Sequence, residues 1–240
     1  MKIGMVGGIG PESTIDYYQR LIKMYQKHIS FDDYPEIIIN SINMTAMLEL
    51  VSEKRWDALT DMLVQELNSL YKAGVKLAFI GSNTPHIVFQ RVMMKSPVAL
   101  VSIVEAARVE AEKLGLKKVG LLGTQFTMQS SFYQSDFAQS AIDVVVPSEE
   151  EQKYIQQKLF SEIEQGIFLE DTKNGLLKIV KRLIADESID GVILGCTELP
   201  LILTKDEYGI PFLNTTETHV QMIIEKYMEA RRSAGSGNQT

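Results

Sequence analysis

Cysteine, basic excess and long apolar runs are what this sequence has little of. A single cysteine, Cys196, stands in 240 residues. No internal disulfide can form, and a reducing, cytoplasmic setting is expected. The opening residues lack the basic segment, apolar run and small-residue cleavage site of a secretory leader, so none is expected. No apolar stretch approaches the roughly 20 residues that cross a bilayer as a helix, and a membrane is not an expected partner. Formal charge is −7 with no Lys/Arg-rich block, which argues against a surface that tracks phosphates and against nucleic acid. His28, His86 and His219 are the only histidines and show no clustered ligand spacing, so no metal is expected. Neither a Schiff-base lysine nor a pyridoxal-phosphate motif is evident. The chain is expected to work without a cofactor.

What is present is an apolar fraction of 45%, enough to bury a core for one large domain or two small ones. Short β-branched runs at 2–6, 36–42, 77–81, 98–101, 118–122, 142–146, 191–194 and 211–213 alternate with longer amphipathic stretches. Helices are expected to begin near Pro11, Ala46, Thr84, Ser102, Thr127, Glu149, Thr172 and Thr215, several of them at a hydroxyl or proline suited to a helix start. This alternation reads as an α/β fold with parallel sheets.

The chain also resembles itself. "KIGMVGG" (2–8) returns as "KVGLLGT" (118–124), and "LAFIGSNTP" returns as "GVILGCTELP". Gly7 to Ser82 spans 75 positions and Gly123 to Cys196 spans 73; Ser82 to Pro97 and Cys196 to Pro211 are both 15. Two pseudo-symmetric α/β lobes are therefore expected. Residues 1–100 form the first, completed by a C-terminal helix at 214–232; residues 101–213 form the second, and 233–240 form a disordered tail. Ligands bind beyond the carboxyl ends of strands in parallel sheets. The expected active site is thus a cleft between the lobes, with Ser82 and Cys196 facing each other across it.

Those corners carry the chemistry. Cys196 follows a strand and precedes a turn, where unpaired backbone N–H groups favour a thiolate below the reference pKa of about 8.5. A lone cysteine also serves as a small buried hydrophobe. Glu198 can orient a partner or hold a substrate ammonium. Ser82 occupies the equivalent corner, with Asn83, Thr84 and His86 beside it; "SNTP" is equally a helix-capping sequence. His86 lies one helical turn from Ser82 and can reach back, or simply pack. "GGIGPEST" (7–14) matches only part of a dinucleotide fingerprint, because Ser13 replaces the third glycine; its backbone donors suit a small carboxylate instead. "GTQFT" (123–127) takes the matching place in the second lobe and offers the hydroxyls of Thr124 and Thr127.

Together "GMVGGIGPEST", "SNTPH", "LLGTQFTM" and "GCTELPL" resemble the cofactor-independent aspartate/glutamate racemases over nearly the whole chain. The resemblance implies two pseudo-symmetric lobes, often in a homodimer, and a small-molecule amino acid as substrate. It implies two cysteines flanking the substrate Cα, with the carboxylate held by Gly8, Asn83, Thr84, Thr124 and Thr197. Cys196 matches one cysteine of that pair; Ser82 replaces the other, and a hydroxyl is far too weak an acid to act as its anion near neutral pH. The expected activity is an isomerase of aspartate/glutamate type, one-directional or impaired by Ser82. Two alternatives stay open. One is a single-cysteine decarboxylase, lyase or hydrolase of the same superfamily, and the other is an amino-acid binder without catalysis.

Overall fold

In a computed structural model, residues 1–29 and 31–236 are described. They divide into two compact units, Met1–Ile103 joined by the C-terminal segment from His219, and Val104–Thr218. Among the described residues no helix is long and apolar enough to cross a membrane.

The first unit runs β1 (Lys2–Gly7), α1 (Pro11–His28), β2 (Ile37–Ser41), α2 (Met44–Ser52), α3 (Trp56–Lys72), β3 (Val75–Ile80), a 3-10 turn (Thr84–Val88), α4 (Phe89–Lys95) and β4 (Ala99–Val101). Its four strands are parallel in the order β2-β1-β3-β4. Central strands of such a sheet are covered on both faces and read as continuous apolar runs. In β3 every residue except Lys76 is buried, whereas edge strand β2 has no buried residue, only half-buried and exposed ones. One face is covered by α3, whose Leu59, Leu63, Leu67 and Leu70 fall three or four residues apart and are all essentially out of water.

The second unit continues through α5 (Ile103–Lys113), β5 (Lys118–Leu122), α6 (Gln125–Gln129), α7 (Phe132–Phe137), a 3-10 turn (Ala138–Ser140), β6 (Asp143–Val145), α8 (Glu149–Ser161), a 3-10 turn (Ile163–Gln165), α9 (Glu170–Glu187), β7 (Gly191–Leu194), α10 (Leu199–Ile202) and β8 (Phe212–Asn214). The closing helix α11 (Thr215–Ser236) begins here and passes into the first unit at His219. The strands are again all parallel, in the order β6-β5-β7-β8. This is the same 2-1-3-4 winding as in the first unit, and it explains why the sequence repeats. All four residues of β7 are buried, and its apolar cluster joins Leu122, Leu176, Val180 and Leu183 to Cys196, Leu199 and Ile202.

Several details differ from the sequence reading, among them the helix expected near Thr127, which forms as α6 and α7. A helix was expected from Ala46 alone; the segment forms two helices, because Lys54 takes a left-handed φ of 53° that ends α2 before α3 starts. The tail expected to be disordered from 233 is helical through Ser236, an extension of α11; residues 237–240 lie outside the described residues.

Leu63→Ala is expected to lower stability by about 2–5 kcal/mol through the cavity it leaves under the first sheet. Met94→Ala, at a side chain 78% exposed, is expected to stay within about 0.5 kcal/mol. Urea unfolding of both variants checks the contrast.

Candidate functional site

In each unit the winding reverses direction beside the first strand, so the carboxyl ends of the two central strands border a crevice where parallel sheets bind ligands. In the first unit these ends are β1 and β3; in the second they are β5 and β7. One backbone bond closes each corner. Gly81 donates its N–H to Val6 O at 2.9 Å, and Gly195 donates its N–H to Leu122 O at 2.6 Å. Ser82 and Cys196 come directly after those glycines. A side chain at 195 would meet Leu121 Cδ1 at 2.7 Å and Leu122 O at 3.1 Å, so the close strand approach that sets the thiol in place requires glycine.

At the first corner Ser82 is half-buried and Asn83 is buried, with Thr84 half-buried at the start of the 3-10 turn. His86 is fully enclosed and stacks on Phe89 with ring centroids 4.8 Å apart. Ile103 donates its N–H to His86 Nε2 at 3.3 Å, so that nitrogen carries the lone pair and Nδ1–H donates to Ser82 O at 2.8 Å. Burial pulls its pKa down to about 4, against weaker support from the backbone bonds at Ser82 and Asn83. His86 is therefore a neutral brace between the Ser82 corner and the start of α5. It has no ring nitrogen left for proton transfer.

His219 makes a second brace. Tyr17 Oη lies 2.8 Å from its Nδ1 and Val101 O lies 3.0 Å from its Nε2, so a neutral ring donates to Val101 and accepts from Tyr17. Burial first, and then the neighbouring His86, pulls its pKa down to about 3.

The glycine-rich segment behaves differently from a ready anion site. Gly8 takes a φ of +80° and already donates its N–H to Thr14 Oγ1 at 2.8 Å. At the matching place in the second unit Thr124 caps α6, accepting from Thr127 N at 3.3 Å, with the two hydroxyls 3.1 Å apart. Thr127 is buried and Thr124 half-buried.

At the second corner the Cys196 thiol is 7% exposed and donates to Glu198 Oε2 at 3.0 Å. Thr197 Oγ1 donates to the same oxygen at 2.9 Å. Burial, then the Glu198 charge and its hydrogen bond, and lastly Glu164, push the thiol pKa well above its ordinary value. This corrects the sequence expectation of a favoured thiolate. The helix that follows, α10, has only four residues and a correspondingly weak dipole; desolvation and two carboxylates outweigh it. The Thr215 hydroxyl donates to Leu194 O at 2.9 Å and ties the end of β7 to α11.

Sequence reasoning missed Glu164, on the 3-10 turn after α8. Its carboxyl is half-buried, and burial followed by the Glu198 charge pushes its pKa up to about 7. Nothing in the local sequence marks it; only packing of that turn beside α10 brings it into the electrostatics of Cys196.

A model of the Asp/Glu/hydantoin racemase family matches residues 6–223. The chain belongs to this family. Both β1–β3 and β5–β7 corners lie inside the matched span. Similar to it is an aspartate racemase homologue from Pyrococcus horikoshii OT3, 35% identical, with a TM-score of 0.83 over 95% of this chain and 99% of that one. The broad specificity amino-acid racemase RacX of Bacillus subtilis (strain 168) is 24% identical over 229 residues, covering 94% of this chain and 98% of RacX. The Picrophilus torridus aspartate racemase, 20% identical with a TM-score of 0.73 over 94% and 93% of the two chains, shares the fold.

Two outcomes follow from these charges. Glu198→Gln removes a negative charge next to sulfur, so iodoacetamide is expected to alkylate Cys196 several-fold faster at pH 8 in the variant; an unchanged rate contradicts the pairing. For stability, a neutral buried histidine binds its proton less readily than the unfolded chain does. The contributions of His86 and His219 are full above pH 6.5 and each declines by about 1.4 kcal/mol per pH unit as pH falls toward its folded value. Glu164 acts oppositely, losing stability as pH rises from about 4.5 to 7. Urea titrations of the protein and of His219→Gln between pH 6.5 and 5 are expected to differ in slope by about one proton.

Proposed function

We propose that this protein is a cofactor-independent amino-acid racemase in which Cys196 moves the proton at the substrate Cα. The observation that carries the reading is the buried Cys196 thiol, hydrogen-bonded at 3.0 Å to Glu198 at a strand-end corner of a racemase-family chain. An amino-acid Cα–H is a weak acid, so the base must be a thiolate rather than the resting thiol. Glu198 supplies the route: the S–H bond breaks as an O–H bond forms on the carboxylate. A substrate ammonium brought to the corner offsets the negative charge that otherwise holds the proton on sulfur. The thiolate then takes the Cα proton, and the electron pair spreads into the substrate carboxylate. Asn83, Thr84, Thr124, Thr127 and Thr197, with backbone donors near Gly8, are assigned to hold that carboxylate. His86 supports Ser82 by position alone.

Inversion needs a proton delivered to the opposite face, the role assigned to Ser82. A serine hydroxyl can return a proton, directly or through water, but is a poor base. The enantiomers have equal free energy in water, so kcat/KM must be equal in the two directions, and Ser82 slows inversion both ways. A one-directional racemase does not follow from this exchange of residues. What remains fast is hydrogen exchange at the Cys196 face. The homodimer is carried as part of the same proposal.

One observation favours a second reading. A thiol held protonated suits a donor to a carbanion, as in a decarboxylase that uses a single cysteine; carbon dioxide released from a malonate-type acid is its signature.

Incubation in deuterium oxide with L- and D-amino acids tests the first reading. Deuterium is expected to enter Cα of one enantiomer faster than net inversion occurs, and Cys196→Ala is expected to abolish that entry. Ser82→Cys is expected to raise inversion by about 10²–10⁴-fold, the usual contribution of a positioned acid–base group. No exchange across a broad panel, with Cys196 intact and alkylatable, contradicts the proposal.

A further inference from the structure

Two carboxyl groups, Glu198 and Glu164, act on the Cys196 thiol, and an amino acid's own ammonium can pair with one of them. Glu198 accepts from both Cys196 and Thr197 on one oxygen. Glu164 stands on the turn Ile163–Gln165, and Ile163 is buried in the same apolar cluster as Cys196, Leu199 and Ile202. That anchoring fixes the turn against α10. The Glu164 carboxyl is half-buried and feels the Glu198 charge, and among the described residues no lysine or arginine forms an ion pair with it. The basic side chain near the end of the preceding helix, Lys158, is committed to Glu162, which also accepts from the Thr172 hydroxyl of α9.

We propose that Glu164 is a specificity-determining residue that selects an amino acid with a positively charged side chain, an ammonium or guanidinium. The inference rests on the racemase reading for its site and departs from the aspartate/glutamate substrate that the family resemblance implies. A substrate α-ammonium, placed by the reacting Cα next to Cys196, is matched by Glu198. Burial and the Glu198 charge hold Glu164 partly protonated near neutral pH, so it ionises fully only when a second cation stands beside it. Aspartate or glutamate would instead bring a further carboxylate toward two that already oppose each other. A partly buried pair of like charges is costly, and an oppositely charged partner there is correspondingly favourable. A distal ammonium would also draw Glu164 into its ionised form, so binding and deprotonation reinforce each other.

Calorimetric titration with lysine, ornithine and arginine, against aspartate, glutamate and alanine, tests the proposal with both enantiomers of each. The intact chain is expected to bind at least one of the basic amino acids ten-fold or more tightly than aspartate or glutamate. Glu164→Gln, nearly isosteric and safe for folding, is expected to remove the preference, and Glu164→Lys to reverse it. Tighter binding of aspartate or glutamate by the intact chain overturns the proposal. So does a preference that survives in Glu164→Gln, or no binding by any amino acid in the panel. Cα-deuterium entry in the same samples separates the two claims. Selective binding of basic amino acids without exchange contradicts the racemase reading and leaves the selectivity standing. Exchange confined to aspartate and glutamate does the reverse.

Discussion

A proton shared between a buried sulfur and a half-buried carboxylate is the interaction on which the rest of the structure's chemistry turns. The backbone makes it unavoidable. Gly195 extends the ladder to Leu122 by one last hydrogen bond, β7 stops, and Cys196 is left at the corner with its side chain among Leu194, Leu199 and Ile202. Apolar surroundings disfavour a thiolate, and Glu198 at 3.0 Å both accepts the thiol proton and repels a negative sulfur. The resting state is therefore neutral sulfur beside charged oxygen. A cation arriving with the substrate is the natural trigger for moving the proton.

The two units show how one backbone plan takes different chemistry. Both wind their strands as 2-1-3-4, and both seal the corner with a glycine amide. Beyond that glycine the supports diverge. The first corner is held by a neutral histidine that bonds Ser82 O on one side and the amide of Ile103 on the other. The second is held by Thr215 on Leu194 O, and its thiol lies beside acidic groups instead of a histidine. The duplication thus conserves where a side chain is presented, while the residue presented sets what it can do.

Much of the fold was legible in the sequence because parallel strands advertise themselves. The runs near 77–81 and 191–194 are buried on both faces and so are continuously apolar, and the 15-residue spacing after each corner marked the repeat. The break between α2 and α3 was not legible, since it depends on a left-handed lysine that local composition does not signal. At the candidate site, the strand-to-helix pattern singled out Cys196, Glu198 and Ser82, and in the structure Cys196 and Ser82 each follow a corner glycine, with Glu198 3.0 Å from the thiol. The thiol's acidity was misjudged because pattern shows a following turn but neither the shortness of α10 nor the depth of burial. Glu164 escaped for a related reason: it lies 32 positions before Cys196, and only the packing of a 3-10 turn beside α10 connects them. His86 was read as either packed or reaching back, and it does both, which is what removes it from acid–base work.

The most direct measurement is a pH titration of the chain labelled with ¹³C at Cβ of its cysteine, followed by the Cys196 Cβ shift. Because Cys196 is the sole cysteine, the signal reports on one group. The account predicts a thiol resonance unchanged from neutral pH through the ordinary cysteine value of 9.0. A transition to the thiolate shift at or below about pH 8, within the ordinary cysteine range, contradicts it.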